Sequence, residues 1–464
     1  MNMSILKAYT LPHPPLAVPS VGRGKESNGI PTTLSAMNAV ALEIAQLKPE
    51  TIIYITPHST IYADYFHISP GETAYGDLGR FGAPEEKFKT TYDEELIKAI
   101  TEVAEHNKIP AGTMGEKDKN LDHGVTVPMW YINQKYTDYK SIRISQSGMA
   151  SSEHYMMGQV IAKAIETTRR KVVIVASSDL SHKLNKEAPY GFSPEGHKFD
   201  TMITDSLSKG DFLSILMIPD DIRKRAGECG YNSLMILAGC FDKQNVESEL
   251  ISYEGPFGVG YAVASFKSTG ENEKRSILEK YVESVLAELE EKRSAEDSYQ
   301  ELARRSLEHI TATGKMLSVP NGLSNELLHK QAGVFVSLHK NGMLRGCIGT
   351  ITPSTDNVAN EIIQNAISAG LSDNRFDPVS IEELPYITYK VDVLSPPEEI
   401  SSPDQLDEKR FGVIVKSKGK RGLLLPNLDG IDSVEAQIAI ARQKAGISEN
   451  EPIELERFEV IRHG

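Results

Sequence analysis

The run Val172-Val173-Ile174-Val175 constrains this chain more than any other stretch. Four consecutive β-branched residues fit a strand buried on both faces, as in a parallel sheet covered by helices. The run stops abruptly at Ser177-Ser178-Asp179-Leu180-Ser181-His182, which delivers an imidazole to the carboxyl edge of a sheet, where open α/β folds bind ligands. His182 is the first candidate for chemistry.

Two further apolar segments end the same way. Thr51-Ile52-Ile53-Tyr54-Ile55 runs into Thr56-Pro57-His58-Ser59, and Ile5 to Tyr9 runs into Leu11-Pro12-His13-Pro14-Pro15. Parallel strands bring all three histidines to one edge. The first half is therefore expected to be α/β, a central, mostly parallel or mixed sheet flanked by helices.

A chain of 464 residues exceeds one ordinary domain. A formal charge of −14 argues against nucleic-acid or anionic-membrane partners, which favour basic surfaces. No stretch reaches the roughly 20 apolar residues that cross a bilayer, and Met1 to Thr10 lacks a signal peptide's apolar run, so a cytoplasmic protein is expected. A homo-oligomer is compatible with this composition. The three cysteines, Cys229, Cys240 and Cys347, form no C-x-x-C pair, which points away from a disulfide framework and from a structural zinc site.

Helical spacing of Leu34, Met37, Ala41, Ile44 and Leu47 predicts a helix over 30–48, with Thr32 or Thr33 as its cap. Residues 64–90, rich in glycine, proline and charge, read as an irregular excursion. Leu121-Asp122-His123-Gly124 brings a fourth histidine, read equally as a loop or capping residue and as a site residue, whereas His154 reads as structural. Arg225-Ala226-Gly227-Glu228-Cys229-Gly230 leads into an apolar helix, so its carboxylate and thiol do not read as mere surface. Polar, aperiodic Lys267 to Glu273 marks a boundary. The expected organisation is a metal-binding catalytic domain over 1–267, a linker and bridging helix over 268–296, and a second domain over 297–464. In the latter, strands join through a Lys340-Asn341-Gly342 hairpin signal.

Two histidines and one carboxylate with open positions make the facial triad of non-haem Fe(II) oxygenases, where a chelating substrate and dioxygen bind side by side. His13 and His58, each beside proline, are the expected histidine ligands. Glu228 is the expected carboxylate, with Glu254 behind it. Zinc with a bound water fits the same groups and gives a hydrolase. His182 is then the acid/base group, Asp179 its orienting partner, and His123 a contact for the substrate's second oxygen.

His13 in Pro-His-Pro, His58 in Thr-Pro-His-Ser, His123 in Asp-His-Gly, His182 in Ser-Asp-Leu-Ser-His and Glu228 in Gly-Glu together resemble the LigB-type class III extradiol dioxygenases over roughly 3–267. The resemblance implies Fe(II) on His13, His58 and Glu228, His182 as acid/base, and dioxygen-dependent cleavage of a catecholic or related small aromatic compound. Cys229-Gly230 also resembles the Cys-Gly of the related Memo proteins. A Cys229 thiolate at the metal makes a softer site that favours zinc or copper.

Leu344-Arg345-Gly346-Cys347-Ile348-Gly349-Thr350, Ser372-Asp373-Asn374-Arg375-Phe376-Asp377-Pro378 and Gly422-Leu423-Leu424-Leu425-Pro426 resemble the AMMECR family over about 297–462, which implies a smaller α+β domain. Such domains look like parts of one bacterial system with a radical-SAM protein, which is thereby an implied partner. Cys347 reads as a small buried hydrophobe. Arg345, Asp373 and Arg375 read equally as an anion pocket and as an ion-pair network. The leading expectation is an Fe(II) extradiol-type dioxygenase. The alternatives are a metal-binding scaffold in a radical-SAM-linked modification system and a zinc hydrolase.

Overall fold

The computed structural model describes residues 4–23, 27–340, 342–428 and 430–464. The chain divides into two compact units, Met1–Val282 and Glu283–Gly464, with the division inside the helix Ile277–Ser294.

The first unit is built on β1 (Ile5–Leu11), β2 (Thr51–Thr56), β3 (Lys140–Ser145), β4 (Val172–Ser177), β5 (Gln244–Glu254) and β6 (Tyr261–Glu271), in the order β3-β2-β4-β1-β6-β5. β3, β2, β4 and β1 are parallel, and β6 and β5 close the sheet antiparallel. β2 and β4 are buried at every residue, as their β-branched runs require. Register aligns the strand ends: Leu11 pairs with Ser177, Ile55 with Ala176, and Thr56 with Ser145. Whatever follows these residues meets at one edge.

Five of the helices here are α1 (Pro31–Leu47), α2 (Glu94–His106), α3 (His123–Asn133), α4 (Ser151–Thr168) and α5 (Tyr231–Gly239). α1 packs on α3, while α4 packs on both α2 and α5. None of the helices among the described residues is long and apolar enough to cross a membrane.

Three local expectations are corrected. Neither Thr32 nor Thr33 caps α1: Ile30 is its N-cap and Pro31 opens it, while the buried Thr33 N–H donates to Glu254 Oε1 at 2.6 Å. Residues 64–90 are not irregular throughout, because Thr73–Leu78 and Ala83–Thr91 form an antiparallel hairpin around the 3-10 turn Gly79–Phe81. A register shift between Asp77 and Leu78 breaks the alternation from which a strand is read. Lys267 to Glu271 continue β6, held by backbone pairing to Gln244–Glu247 that asks for no apolar pattern.

In the second unit, β7 (Val334–Lys340), β8 (Met343–Gly349) and β9 (Ile387–Leu394) join Val460–His463 in an antiparallel sheet with β8 at one edge. Asn341 of the hairpin signal lies outside the described residues. A second four-stranded sheet orders Glu398–Ile400, Glu454–Phe458, Gly412–Ser417 and Lys420–Leu424. Arg345 pairs with Glu383 at 2.9 Å, separately from Asp373 and Arg375. On β8, the Cys347 N–H donates to Asp373 Oδ2 at 2.9 Å, and Arg375 Nη2 donates to the Cys347 carbonyl at 3.1 Å. The Asp373–Arg375 pair therefore holds two segments together. Cys347 is half-buried rather than enclosed, with the Ser337 hydroxyl on its sulfur at 3.3 Å.

Glycines let α4 and α5 touch through their backbones. A Cβ on Gly239 would lie 1.9 Å from the Tyr155 carbonyl oxygen. Alanine gains about 1 kcal/mol in helix propensity, but overpacking costs about 1–3 kcal/mol, and a carbonyl in a packed helix cannot swing aside. Gly239→Ala is expected to destabilise the first unit, by up to about 2 kcal/mol once the propensity gain is subtracted. Urea unfolding followed by the fluorescence of Trp130, the chain's single tryptophan, checks this.

Candidate metal centre

The aligned strand ends bring the far-separated groups together. His13 lies two residues beyond β1, His58 two beyond β2, and Gln146 one beyond β3; Asp179 and His182 follow β4. Cys229 arrives from the other direction, on the turn before α5, where Gly227 adopts φ 64° and the Gly230 N–H donates to the Asp179 carbonyl at 3.1 Å. A Cβ on Gly230 would sit 2.1 Å from Ser178 Oγ, so only glycine lets this turn press against the end of β4.

His13, His58 and Cys229 each aim one donor atom at a common point, all three atoms lying within 4.8 Å of one another. His58 Nε2 is 3.0 Å from His13 Nε2, and Cys229 Sγ is 3.5 Å from the same nitrogen. Donors sharing a tetrahedral ion at ordinary bond lengths stand about 3.3 Å apart for two nitrogens and slightly more for nitrogen and sulfur; the two spacings to His13 Nε2 are close to these, and the His58–Cys229 spacing is within 4.8 Å.

The protonation of His13 is set from behind. Ser177 Oγ donates to the Gly124 carbonyl at 2.5 Å, so it accepts from His13 Nδ1–H at 2.8 Å, which leaves Nε2 with its lone pair facing the centre. Burial, reinforced by His58, His123 and His182, holds the His13 pKa well below the ordinary range. Burial likewise lowers His58, against the pull of Asp122. The Cys229 thiol is pushed well above its usual value by burial, then by Asp179 and Glu228. Neutral imidazoles and a thiol that ionises only beside a cation are what a metal site needs.

Glu228 does not join this group. Its Oε2 accepts the Tyr231 N–H at 2.7 Å and its other oxygen lies 3.8 Å from Arg223 Nε, so the carboxylate caps the start of α5. Burial raises its pKa, with Arg223 opposing. Glu254 is taken by Thr33. The group that could hold an ion is therefore two nitrogens and a sulfur, with the Glu228 carboxylate outside it.

Asp179 is also reassigned. Its Oδ1 accepts the His13 N–H at 2.8 Å and its Oδ2 lies 3.7 Å from His13 Nε2, so it anchors His13 rather than His182. Burial lifts its pKa to about 7, opposed by that hydrogen bond. His182 turns its Nε2 to within 4.0 Å of Cys229 Sγ and meets the exposed Tyr190 edge-on. His123 opens α3 and stacks on His58, with ring centroids 4.1 Å apart and Phe81 at its far edge. Its pKa falls to about 3, from burial, His58 and Arg80. An open cleft of about 580 Å³ reaches His58 and His123 from solvent. His154 is buried and structural: it accepts the Ser147 N–H and bonds the Ala150 carbonyl.

Sequence reasoning missed two groups. Ser177 fixes the tautomer of His13, and Gln146 donates to the Cys229 carbonyl at 2.9 Å and to Ser233 Oγ at 2.8 Å. Both sit at strand ends, so the position that exposed the histidines was their signal too.

Residues 7–264 match the family described as the catalytic LigB subunit of aromatic ring-opening dioxygenase, and residues 300–463 match the AMMECR1 family. The chain is 41% identical over 471 residues to protein CA_C1420 of Clostridium acetobutylicum, covering 99% of each. It is 46% identical over 170 residues to a Thermotoga maritima protein, covering 36% of this chain and 98% of that one. The solved structure of Pyrococcus horikoshii protein PH0010 aligns at 32% identity with a TM-score of 0.32, covering 35% of this chain and 88% of that one.

Ser177→Ala removes the acceptor that fixes His13. Loss of such a partner weakens metal binding about 10–100-fold, to be measured by competition with a chromophoric chelator; unchanged affinity would reject the tautomer argument.

Proposed function

Since the chain belongs to the LigB family of aromatic ring-opening dioxygenase subunits and carries an AMMECR1 domain later in its sequence, we propose that its first unit is a metal-dependent oxidoreductase acting on a small oxygen-bearing aromatic compound. The observation that carries this reading is the convergence of His13, His58 and Cys229 on one point beside an open cleft. The ion would be held by these three residues, whereas an iron facial triad would need the carboxylate of Glu228.

Bound there, a divalent ion supplies Lewis acidity and, if it is iron or copper, electron transfer. The remaining work belongs to side chains. Ser177 keeps His13 Nε2 unprotonated, and Asp179 fixes its backbone. His182, 4.0 Å from the sulfur, is placed to take a proton from a hydroxyl of the bound compound and return it later. His123, stacked on His58 at the cleft, is placed to contact a second oxygen. Cys229 itself favours a second reading: a thiolate selects zinc over iron, and zinc with a bound water would make the site a hydrolase served by the same His182. The second unit is proposed as the module that recruits a radical-SAM partner.

Metal content and turnover separate these readings. After anaerobic loading with iron, zinc or copper, Cys229→Ala is expected to lose most bound metal and Glu228→Gln to keep it; the reverse pattern rejects the ligand set. His182→Ala should retain metal but lose turnover by about 10²–10⁴-fold, measured as oxygen uptake with a panel of catechols. Silence across the panel, with hydrolysis by the zinc form, supports the second reading.

Because the thiol must give up its proton on binding, metal affinity is expected to rise with pH, with about one proton released per ion. Calorimetry in buffers of different ionisation enthalpy checks this. A Cys229→Ala variant should lose that dependence.

A further inference from the structure

The turn that presents Cys229 hangs from a neighbouring strand end by one side chain. Gln146 is buried, 8% exposed, immediately beyond β3. Its amide nitrogen uses both hydrogens, one on the Cys229 carbonyl at 2.9 Å and one on Ser233 Oγ at 2.8 Å in the first turn of α5. The Gln146 backbone N–H is itself tied to the Thr56 carbonyl at 3.2 Å, so the residue is fixed to the strand end that carries His58. The turn after it is closed by the buried His154, whose Nε2 accepts the Ser147 N–H at 3.1 Å and whose Nδ1 bonds the Ala150 carbonyl at 3.0 Å. The Cys229 turn and the His58 strand end are thereby linked through a single amide.

We propose that Gln146 is the positioning residue that holds the Cys229 sulfur against His13 and His58, so that the thiolate, and not the adjacent Glu228, becomes the third donor to the ion. The inference rests on the metal centre proposed above. Cys229 and Glu228 are neighbours on one tight turn, and the rotation of that turn decides which faces the histidines. Four hydrogen bonds oppose its rotation: Gln146 to the Cys229 carbonyl, the Cys229 thiol to the Asp179 carbonyl at a long 3.9 Å, the Gly230 N–H to the same Asp179 carbonyl, and the Tyr231 N–H to Glu228. Of these, the first is the one that holds the Cys229 backbone. Supporting groups of this kind typically change metal affinity 10–100-fold when removed.

The test uses the full chain loaded with Co(II), whose thiolate charge-transfer absorption reports sulfur ligation directly. Gln146→Met keeps the side chain's length and bulk while removing both donors. Ser233→Ala removes only the second acceptor. Wild type is expected to show the charge-transfer band and Cys229→Ala to lack it. Gln146→Met should lose at least half of the band's intensity and bind Co(II) about tenfold more weakly, while Ser233→Ala keeps both.

An unchanged band and affinity in Gln146→Met, with the band intact in wild type, would overturn the positioning role and leave the metal centre standing. Equal losses in Gln146→Met and Ser233→Ala would overturn it too, since the cause would then be a loosened α5. Absence of the band from wild type would reject the metal centre, and this inference with it.

Discussion

Parallel register is the constraint on which the first unit depends. Because Leu11 lies beside Ser177, Ala176 beside Ile55, and Thr56 beside Ser145, four chain segments leave the sheet together. Each segment carries at least one polar group of the site: His13, His58, Gln146, and on the last Asp179 and His182. The backbone ladder fixes the strand ends to within a residue, since a slip by one would turn every side chain to the other face. The short loops beyond the ends inherit that accuracy.

Charge balance then shapes what can occupy the edge. His13, His58, His123 and His182 each have their protonated form disfavoured by burial, and for three of them a neighbouring histidine adds to the effect. Cys229 is held in its neutral form for the converse reason, with Asp179 and Glu228 nearby. A cation reverses the second penalty without worsening the first, because neutral imidazoles donate lone pairs and a thiolate donates charge. The pocket is arranged so that its polar groups are satisfied together rather than singly.

The histidine cluster and the α/β layering were legible because both follow from one readable feature, buried β-branched strands ending in polar residues. The choice between Glu228 and Cys229 was harder, since adjacent residues on one turn differ only in direction. The carboxylate is bonded to the Tyr231 N–H at the start of α5 and the thiol lies beside His13, a difference that spacing along the chain does not carry. Asp179 is a related case: three residues from His182 in sequence, it is hydrogen-bonded to His13, across the β1–β4 pairing. The hairpin Thr73–Thr91 was obscured by its bulge and its charged, glycine-bearing faces, and the outer end of β6 by a ladder that leaves no apolar trace.

The second unit shows what a polar motif does when it is turned toward backbone instead of a ligand. β8 is an edge strand, and such a strand invites a further one from another chain. Asp373 and Arg375 occupy the hydrogen-bonding groups of Cys347 as an added strand would, one accepting and one donating. At Cys347 a charged pair thus stands in for a missing neighbouring strand. Docking by strand addition at this point would first have to displace a carboxylate and a guanidinium already bonded to each other, a barrier to unplanned partners written into the motif itself.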